Sequence, residues 1–100
     1  MSGEAEAAAL RIKGVDDRQF RTIFTLARMT SGDEVFARVD RLAEMMECGE
    51  MEAGMRVGEV CAAGLLAPLA LRNAPDPATS EPHLSLTGKF RIGPFATVRQ

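Results

Sequence analysis

The chain opens without any hydrophobic period and then alternates briefly between apolar and charged positions. Residues 1–8 are mostly small or acidic, so the sequence predicts a flexible N-terminal tail there. In the following stretch, ALRIKGV, Leu10 and Ile12 lie on one side of an extended chain, and the basic residues beside them lie on the other. A period of two is typical of a half-buried strand. It predicts a short N-terminal strand that ends at Gly14.

Two later segments have the pattern of amphipathic helices. Asp16 and Gln19 stand at the spacing of a capping box, which marks a helix start. The apolar residues behind them share one helical face: Phe20, Ile23, Phe24 and Ala27. Ser31 and Glu34 repeat the capping pattern. A second apolar stripe follows and ends before Gly49: Val35, Val39, Leu42 and Met46. The sequence therefore predicts two helices in this part of the chain.

A third helix is predicted to begin near Glu50. It contains Gly54, Gly58 and Gly64, and each glycine costs about 1 kcal/mol relative to alanine inside a helix. Two interpretations remain open from the sequence. The helix is interrupted at these glycines, or Gly54 and Gly58 allow another backbone to approach closely.

The C-terminal part of the chain reads as a connection followed by strands. Residues 73–82 are rich in proline and predict an extended connection. The apolar residues beyond it share one side of an extended pattern: Leu84, Leu86, Phe90 and Ile92. Gly93-Pro94 then predicts the turn of a terminal hairpin. The expected fold is α+β over residues 9–100, a single domain with a three-helix cluster packed on a small antiparallel sheet that combines the N-terminal strand and the C-terminal hairpin.

Acidic residues are concentrated in the middle of the chain. The net charge is −2, and residues 33–59 contain eight acids and three arginines. On a continuous helix, four of these acids would form one ridge opposite the apolar stripe: Asp33, Asp40, Glu44 and Glu47. Two interpretations of this ridge are open. It is a solvated face, or it docks on a protein partner with a basic surface.

Other side chains extend the candidate binding surface. Met45 and Met51 lie off the main apolar stripe, and methionine is frequent at adaptable interfaces. Lys89 and Arg91 in the C-terminal hairpin offer a second, basic surface. The arginines of the first helix would also suit contact with the acidic ridge of a neighbouring copy, which would favour self-association.

The sequence Met55 to Val60, followed by Gly64, resembles the beginning of the DNA-binding domain of the MerR family of regulators. This resemblance implies a helix-turn-helix over residues 55–72 that reads DNA. The second helix of such a motif carries cations and polar groups for phosphates and base edges. Here that segment reads LLAPLALRN, and its only cation is Arg72. Because a DNA-binding domain is expected to be basic, the acidic net charge argues against direct nucleic-acid binding.

Catalytic, metal and membrane signals are weak. Cys48, Cys61 and His83 fall short of the three or four ligands of a zinc site, and two cysteines in such a chain indicate reduced thiols. No nucleophile elbow or phosphate loop is present in the sequence. The longest apolar run is broken by Pro68 and is too short to span a bilayer. The sequence thus predicts a cytoplasmic protein that is not an enzyme and has no cofactor, no metal and no membrane association.

The leading hypothesis is a small non-catalytic inhibitor or adaptor that binds another protein. Compact acidic domains of this kind are common among phage and mobile-element products, including anti-CRISPR proteins, which block nucleic-acid binding by host complexes. Two alternatives stay open at this point: a helix-turn-helix DNA-binding regulator using residues 55–72, and a phage assembly factor.

Overall fold

The computed structural model describes residues 3–75 and 80–95 and has an α+β fold. Its elements, in chain order, are α1 (Gly3–Leu10), α2 (Asp17–Arg28), β1 (Thr30–Ser31), β2 (Glu34–Arg38), α3 (Val39–Met46), α4 (Glu50–Ala62), β3 (Ala70–Pro75) and β4 (Pro82–Lys89). The four strands form one antiparallel sheet in the order β1-β2-β4-β3. The predicted α+β class is therefore confirmed, with four described helices instead of three.

The core lies between the helices and one face of the sheet. Helices α2, α3 and α4 contact one another, and α2 and α3 also contact the sheet. The largest fully buried apolar side chains come from three of the helices and the loop after α4: Ile23, Leu26, Leu42, Met46, Val60 and Leu66. From the sheet, Val35, Ala37 and Leu86 are buried against this cluster. The apolar faces of the amphipathic helices α2 and α3 thus pack against the sheet.

Helix α2 begins as its sequence predicts. The Asp16 side chain accepts a hydrogen bond from the Gln19 backbone N–H at 2.7 Å, and the Gln19 side chain accepts one from the Asp16 N–H at 3.1 Å. This reciprocal capping box satisfies donors that the first helical turn leaves unpaired. Phe20 and Phe24 stack with ring centroids 5.7 Å apart, and both are half-buried. The capping box and the aromatic face are both confirmed.

The N-terminal tail and strand are not present as expected. Residues 3–10 form α1, and the N-terminal strand prediction is wrong. Alanine and glutamate, which dominate this segment, are strong helix formers, whereas the alternation that suggested a strand is short and has no neighbouring strand to pair with. Ala5 and Ala9 lie one turn apart on α1 and are buried in the core cluster.

The predicted second helix begins later than expected. Residues 34–38 form β2, and the chain enters α3 at Val39 without a linker. Within β2 the burial alternates, with Val35 and Ala37 inside. Ser31 does not cap a helix; it belongs to β1, and Gly32 takes a positive φ of 64° in the turn between β1 and β2. Val35 and Ala37 fit a strand with a period of two, whereas Val35, Val39 and Leu42 also fit one helical face, and pairing with β4 selects the strand for residues 34–38.

The C-terminal hairpin lies earlier in the chain than the predicted one, which had its turn at Gly93-Pro94. Strand β3 pairs with β4, so residues 73–75 and 82 of the predicted connection are strand residues. Pro75 ends the edge strand β3 and Pro82 begins β4, which are positions where a strand tolerates proline. Phe95 lies outside any strand, and the remainder of the predicted second strand, 96–100, lies outside the described residues.

Helix α4 is continuous through Gly54 and Gly58.

Helix α1 gives a direct test of its packing. Replacing Ala9 with aspartate would place an unpaired carboxylate in the core, and we expect a loss of roughly 3 kcal/mol in the free energy of unfolding. The same substitution at the exposed Ala7 should change it by less than about 1 kcal/mol. Urea denaturation measures both variants. Equal stability of the Ala9→Asp and Ala7→Asp proteins would show that α1 does not pack on the core.

Candidate functional site

Helices α3 and α4 follow each other through a short turn and contact each other, at a different position from the helix-turn-helix that the sequence indicated. A three-residue connection, residues 47–49, joins them, and Glu47 takes the left-handed conformation with φ 56°. The Cys48 backbone N–H bonds the Ala43 carbonyl at 3.0 Å and closes the end of α3. A turn of three or four residues that contains a glycine is typical of this motif, and Gly49 is the last residue of the turn.

The helix-turn-helix that the MerR resemblance implied over residues 55–72, one of the alternatives left open by the sequence, is not formed. Residues 55–62 are the second half of α4. The segment between α4 and β3 is not helical, and its Leu66 forms an isolated antiparallel bridge with Ile92. Arg72 lies on β3, opposite Ser85 of β4. Pro68 and the pairing of residues 70–75 with β4 prevent a second helix from forming there.

The four acids of the predicted ridge do not share one helix. Asp33 lies in the turn between β1 and β2, because residues 34–38 are a strand. Asp40 and Glu44 are exposed on α3, and Glu47 is the residue that ends it. The angular argument for a ridge assumed a continuous helix through all four positions, so the expected single ridge is wrong.

Most of these acids already have basic neighbours within the chain. The Lys89 Nζ lies 3.3 Å from the Asp33 carboxylate and 3.0 Å from that of Glu34. An Arg38 guanidinium nitrogen lies 2.6 Å from Asp40. An Arg21 nitrogen lies 3.4 Å from Glu47. Lys89, predicted to belong to a separate basic surface, is thus a partner of the acids.

These ion pairs change the protonation equilibria of their members. The hydrogen bond from Arg38 is the largest cause of a pKa for Asp40 below its usual value, and the backbone N–H of Arg41 adds to it. The hydrogen bonds to Glu34 and then Asp33 raise the pKa of Lys89. Paired charges present a weaker field to a partner than free ones do, so these acids make a poor steering surface.

Helix α4 carries two large exposed apolar side chains. The Met51 side chain is 83% exposed and Met55 is 57% exposed. Three of the four charged side chains of α4 form ion pairs. Arg18 of α2 lies 2.8 Å from Glu59 and 3.3 Å from Glu52, and Glu52 also pairs with Arg56 at 3.4 Å.

A groove of about 500 Å³ runs between α4 and the β3–β4 hairpin, and we name it the α4 groove. It is lined by Val39, Glu50, Met51, Gly54, Val57, Gly58, Cys61, Pro68, Leu69, Leu71, Leu84 and Leu86. The buried members form its floor: Val39, Val57 and Leu86. Leu71 is 58% exposed and Leu84 47% exposed, so apolar side chains also form its rim. Pockets of this size and lining are typical binding sites.

The two glycines of α4 are part of the groove wall and touch nothing else. A Cβ atom added at Gly54 or at Gly58 would meet no heavy atom of the protein within 4 Å. Within the described residues, no neighbouring backbone therefore uses the space that the missing side chains leave, so neither the interruption of the helix nor the close approach of another backbone is observed at Gly54 and Gly58. The helix carries two residues of low helix propensity on the side that faces the open groove.

Few polar groups line the α4 groove. Glu50 is the first residue of α4, and it forms no ion pair with any residue that the structure describes. Cys61 is a half-buried free cysteine whose Sγ lies 3.7 Å from the Ala67 carbonyl oxygen. Burial raises the pKa of this thiol, which keeps it protonated and poorly nucleophilic.

The residues that the sequence indicated are not brought together at one site, although Lys89 and Asp33 form an ion pair. Of the eight predicted partner-binding residues, Met51 lines the α4 groove. Met45 is 37% exposed on α3, and Arg91 is exposed after the end of β4. The sequence analysis missed Leu71 and Leu84 as surface residues, because Leu71 ends the longest apolar run and Leu84 belongs to an alternating pattern that suggested a buried side. An available signal was the pair of glycines inside an otherwise regular helix.

Metal, membrane and family comparisons add no further site. Within residues 3–75 and 80–95, no group of three or more His, Cys, Asp or Glu side chains is placed to hold a metal ion. No helix in the described part of the chain has the length and apolar content needed to cross a membrane. No family model, no curated protein and no solved structure matches the chain.

The glycines of α4 lower the stability of the free protein. We expect Gly54→Ala and Gly58→Ala each to raise the free energy of unfolding by about 1 kcal/mol, because alanine is the better helix former and its methyl group meets open space. Gly64→Ala is the matched control. Gly64 has a φ of 76° after the end of α4, so alanine should destabilise there. Chemical denaturation measures all three, and a destabilising Gly54→Ala would contradict the open wall.

The Arg38–Asp40 pair gives a pH test. Because the folded pKa of Asp40 is lowered, this pair contributes stability above the unfolded pKa of the carboxyl group, and the contribution is lost as the pH falls through the folded value. Arg38→Gln should raise the pKa of Asp40 toward its usual value in an NMR titration. Arg41→Gln keeps the backbone N–H that Asp40 accepts and should leave the titration nearly unchanged. An unaltered Asp40 titration in Arg38→Gln would contradict the pairing.

Proposed function

We propose that this protein is a non-catalytic adaptor or inhibitor that binds another protein through the α4 groove. The observation that carries the proposal is the surface of α4. The second helix of the α3–α4 pair exposes methionine and glycine beside a groove with an apolar floor and rim. Exposed apolar side chains gathered at one groove mark interaction sites on soluble proteins.

The charge of α4 argues against reading DNA. The second helix of a helix-turn-helix enters the major groove, where arginine, lysine, asparagine and glutamine contact base edges. Helix α4 carries three glutamates and one arginine. That arginine, Arg56, is half-buried and paired with Glu52. A duplex would meet carboxylates and methionines, which supply neither the phosphate contacts nor the base contacts that binding requires.

The β3–β4 hairpin supports the same function. It lies beside α4 and supplies Leu71 and Leu84 to the rim of the groove. In a DNA-binding domain, segments flanking the recognition helix usually contact the phosphate backbone with basic residues. The described residues at the end of this hairpin are Pro75, Ser80, Glu81 and Pro82, none of them basic. The hairpin thus extends an apolar surface beside α4.

The proposal is tested by comparing capture and DNA binding. The wild-type protein should capture a partner from a lysate of the source cell. The Met51→Glu variant should no longer capture it, because the substitution places a charge at the groove rim. Met51 is 83% exposed, so folding should be retained. Random duplex DNA should bind no more tightly than about 0.1 mM at physiological salt. Mass spectrometry identifies the captured proteins, and gel shifts measure the duplex.

Met45→Glu is the matched control for this test, because Met45 is exposed on α3, outside the lining of the groove, and the same charge change there should leave capture intact. Glu44→Lys tests the acids of α3, since it reverses the charge of an exposed residue that lies outside the groove lining. Loss of capture with Glu44→Lys and retention with Met51→Glu would assign binding to the acids of α3. Sequence-selective, salt-sensitive duplex binding would replace the proposal with a DNA-binding function.

A further inference from the structure

We infer that the occupant of the α4 groove is an apolar face of a helix from a partner protein, with a lysine or arginine at the end that meets Glu50. The inference rests on the proposed function, since it names the chemistry of the partner that the groove binds. Three properties of the groove lead to it: its length, its lining and its one free carboxylate.

The groove has the length of a short helix. Its lining extends along α4 from Glu50 to Cys61, which is three helical turns or about 16 Å at 1.5 Å per residue. A partner helix lying along it would place side chains at positions i, i+3, i+4, i+7 and i+11 on the apolar floor. Spacing of this kind is how an amphipathic helix fills a hydrophobic groove.

The lining suits a helix better than an extended chain. A helix satisfies most of its backbone N–H and C=O groups internally, so it needs few hydrogen-bonding partners from the groove. Val39, Val57 and Leu86 on the floor offer only apolar contacts to side chains. Gly54 and Gly58 lie one turn apart on the wall and leave open space, so the backbone of the partner can come close to α4 there.

The charge at one end sets the orientation of the partner. Glu50 begins α4, where the helix dipole stabilises a carboxylate. Apart from the Cys61 thiol, it is the only ionisable group among the described residues that line the groove. At the opposite end the lining consists of Cys61, Pro68 and Leu69. A cation on the occupant is therefore matched at the Glu50 end, and an acid there would be repelled.

Two synthetic peptides of about 16 residues test this inference, a length at which an alanine-rich chain can become helical on binding. Both carry leucines at i, i+3, i+4, i+7 and i+11. One has two lysines at each end, and the other has glutamates at the same positions. Titrated into ¹⁵N-labelled protein, the lysine peptide should shift the amide signals of Gly54 and Gly58 and bind about tenfold more tightly than the glutamate peptide.

Variants at Glu50 make the test specific. Glu50→Lys should reverse the preference, so that the glutamate peptide binds more tightly, and Glu50→Gln should abolish most of the difference. Because a reversed preference requires a folded groove, it cannot arise from unfolding. Glu44→Lys introduces the same charge change outside the groove and should keep the wild-type preference.

Several results would overturn the inference. Equal affinity for the two peptides would remove the role of Glu50. Peptide-induced shifts along Ala70–Pro75, without shifts at Gly54 and Gly58, would assign the site to strand addition at the edge of β3. A wild-type dimer that Met51→Glu dissociates would assign the groove to a second copy of the chain. If neither peptide binds while Met51→Glu still abolishes partner capture, the helical occupant is wrong and the proposed function stands.

Discussion

The pairing of β4 with β3, its neighbour along the chain, and with β2, a distant strand, organises this molecule. Strand β4 lies between β2, which precedes α3, and β3, which follows α4. Leu86 pairs with Ala37 on one side and with Leu71 on the other. Since β2 is tied to the helical layer through Val35 and Ala37, its register with β4 also positions β3 beside α4. The groove exists because this register leaves Leu71 and Leu84 near a helix that offers glycine rather than a large side chain.

Charge pairing within the chain determines which surface remains for a partner. Arg18 joins two glutamates of α4, Lys89 joins two acids of the first hairpin, and Arg38 joins Asp40. Exposed pairs of this kind add little stability, but they reduce the field that the acids project. On α4, Glu59 is exposed but paired with Arg18, and the side of the helix that lines the groove is apolar apart from Glu50.

The sequence analysis succeeded where one local interaction determines the structure. Asp16 and Gln19 start α2 because their side chains cap the first turn wherever that helix packs. It failed at residues 34–38, because Val35, Val39 and Leu42 are compatible with a strand entering a helix as well as with a helix throughout. Ser31 and Glu34 have the spacing of a capping box, but the chain makes a turn at Gly32 between them. Glu34 therefore lies on a strand and pairs with Lys89 of β4. The predicted acidic ridge depended on residues 34–38 being helical.

The sequence by itself determined the mixed helix and strand class, the start of α2 and α4, and the acidic charge, because capping, periodicity and composition are local properties. It also indicated Met51 as a surface residue and the glycines of α4 as unusual. Only the tertiary structure decided that residues 34–38 are a strand, that α3 and α4 form the helix pair, and that Leu71 and Leu84 face a groove. These features depend on contacts between residues far apart in the chain, above all on the register of β4 with β2 and β3, and a local pattern carries no information about that register.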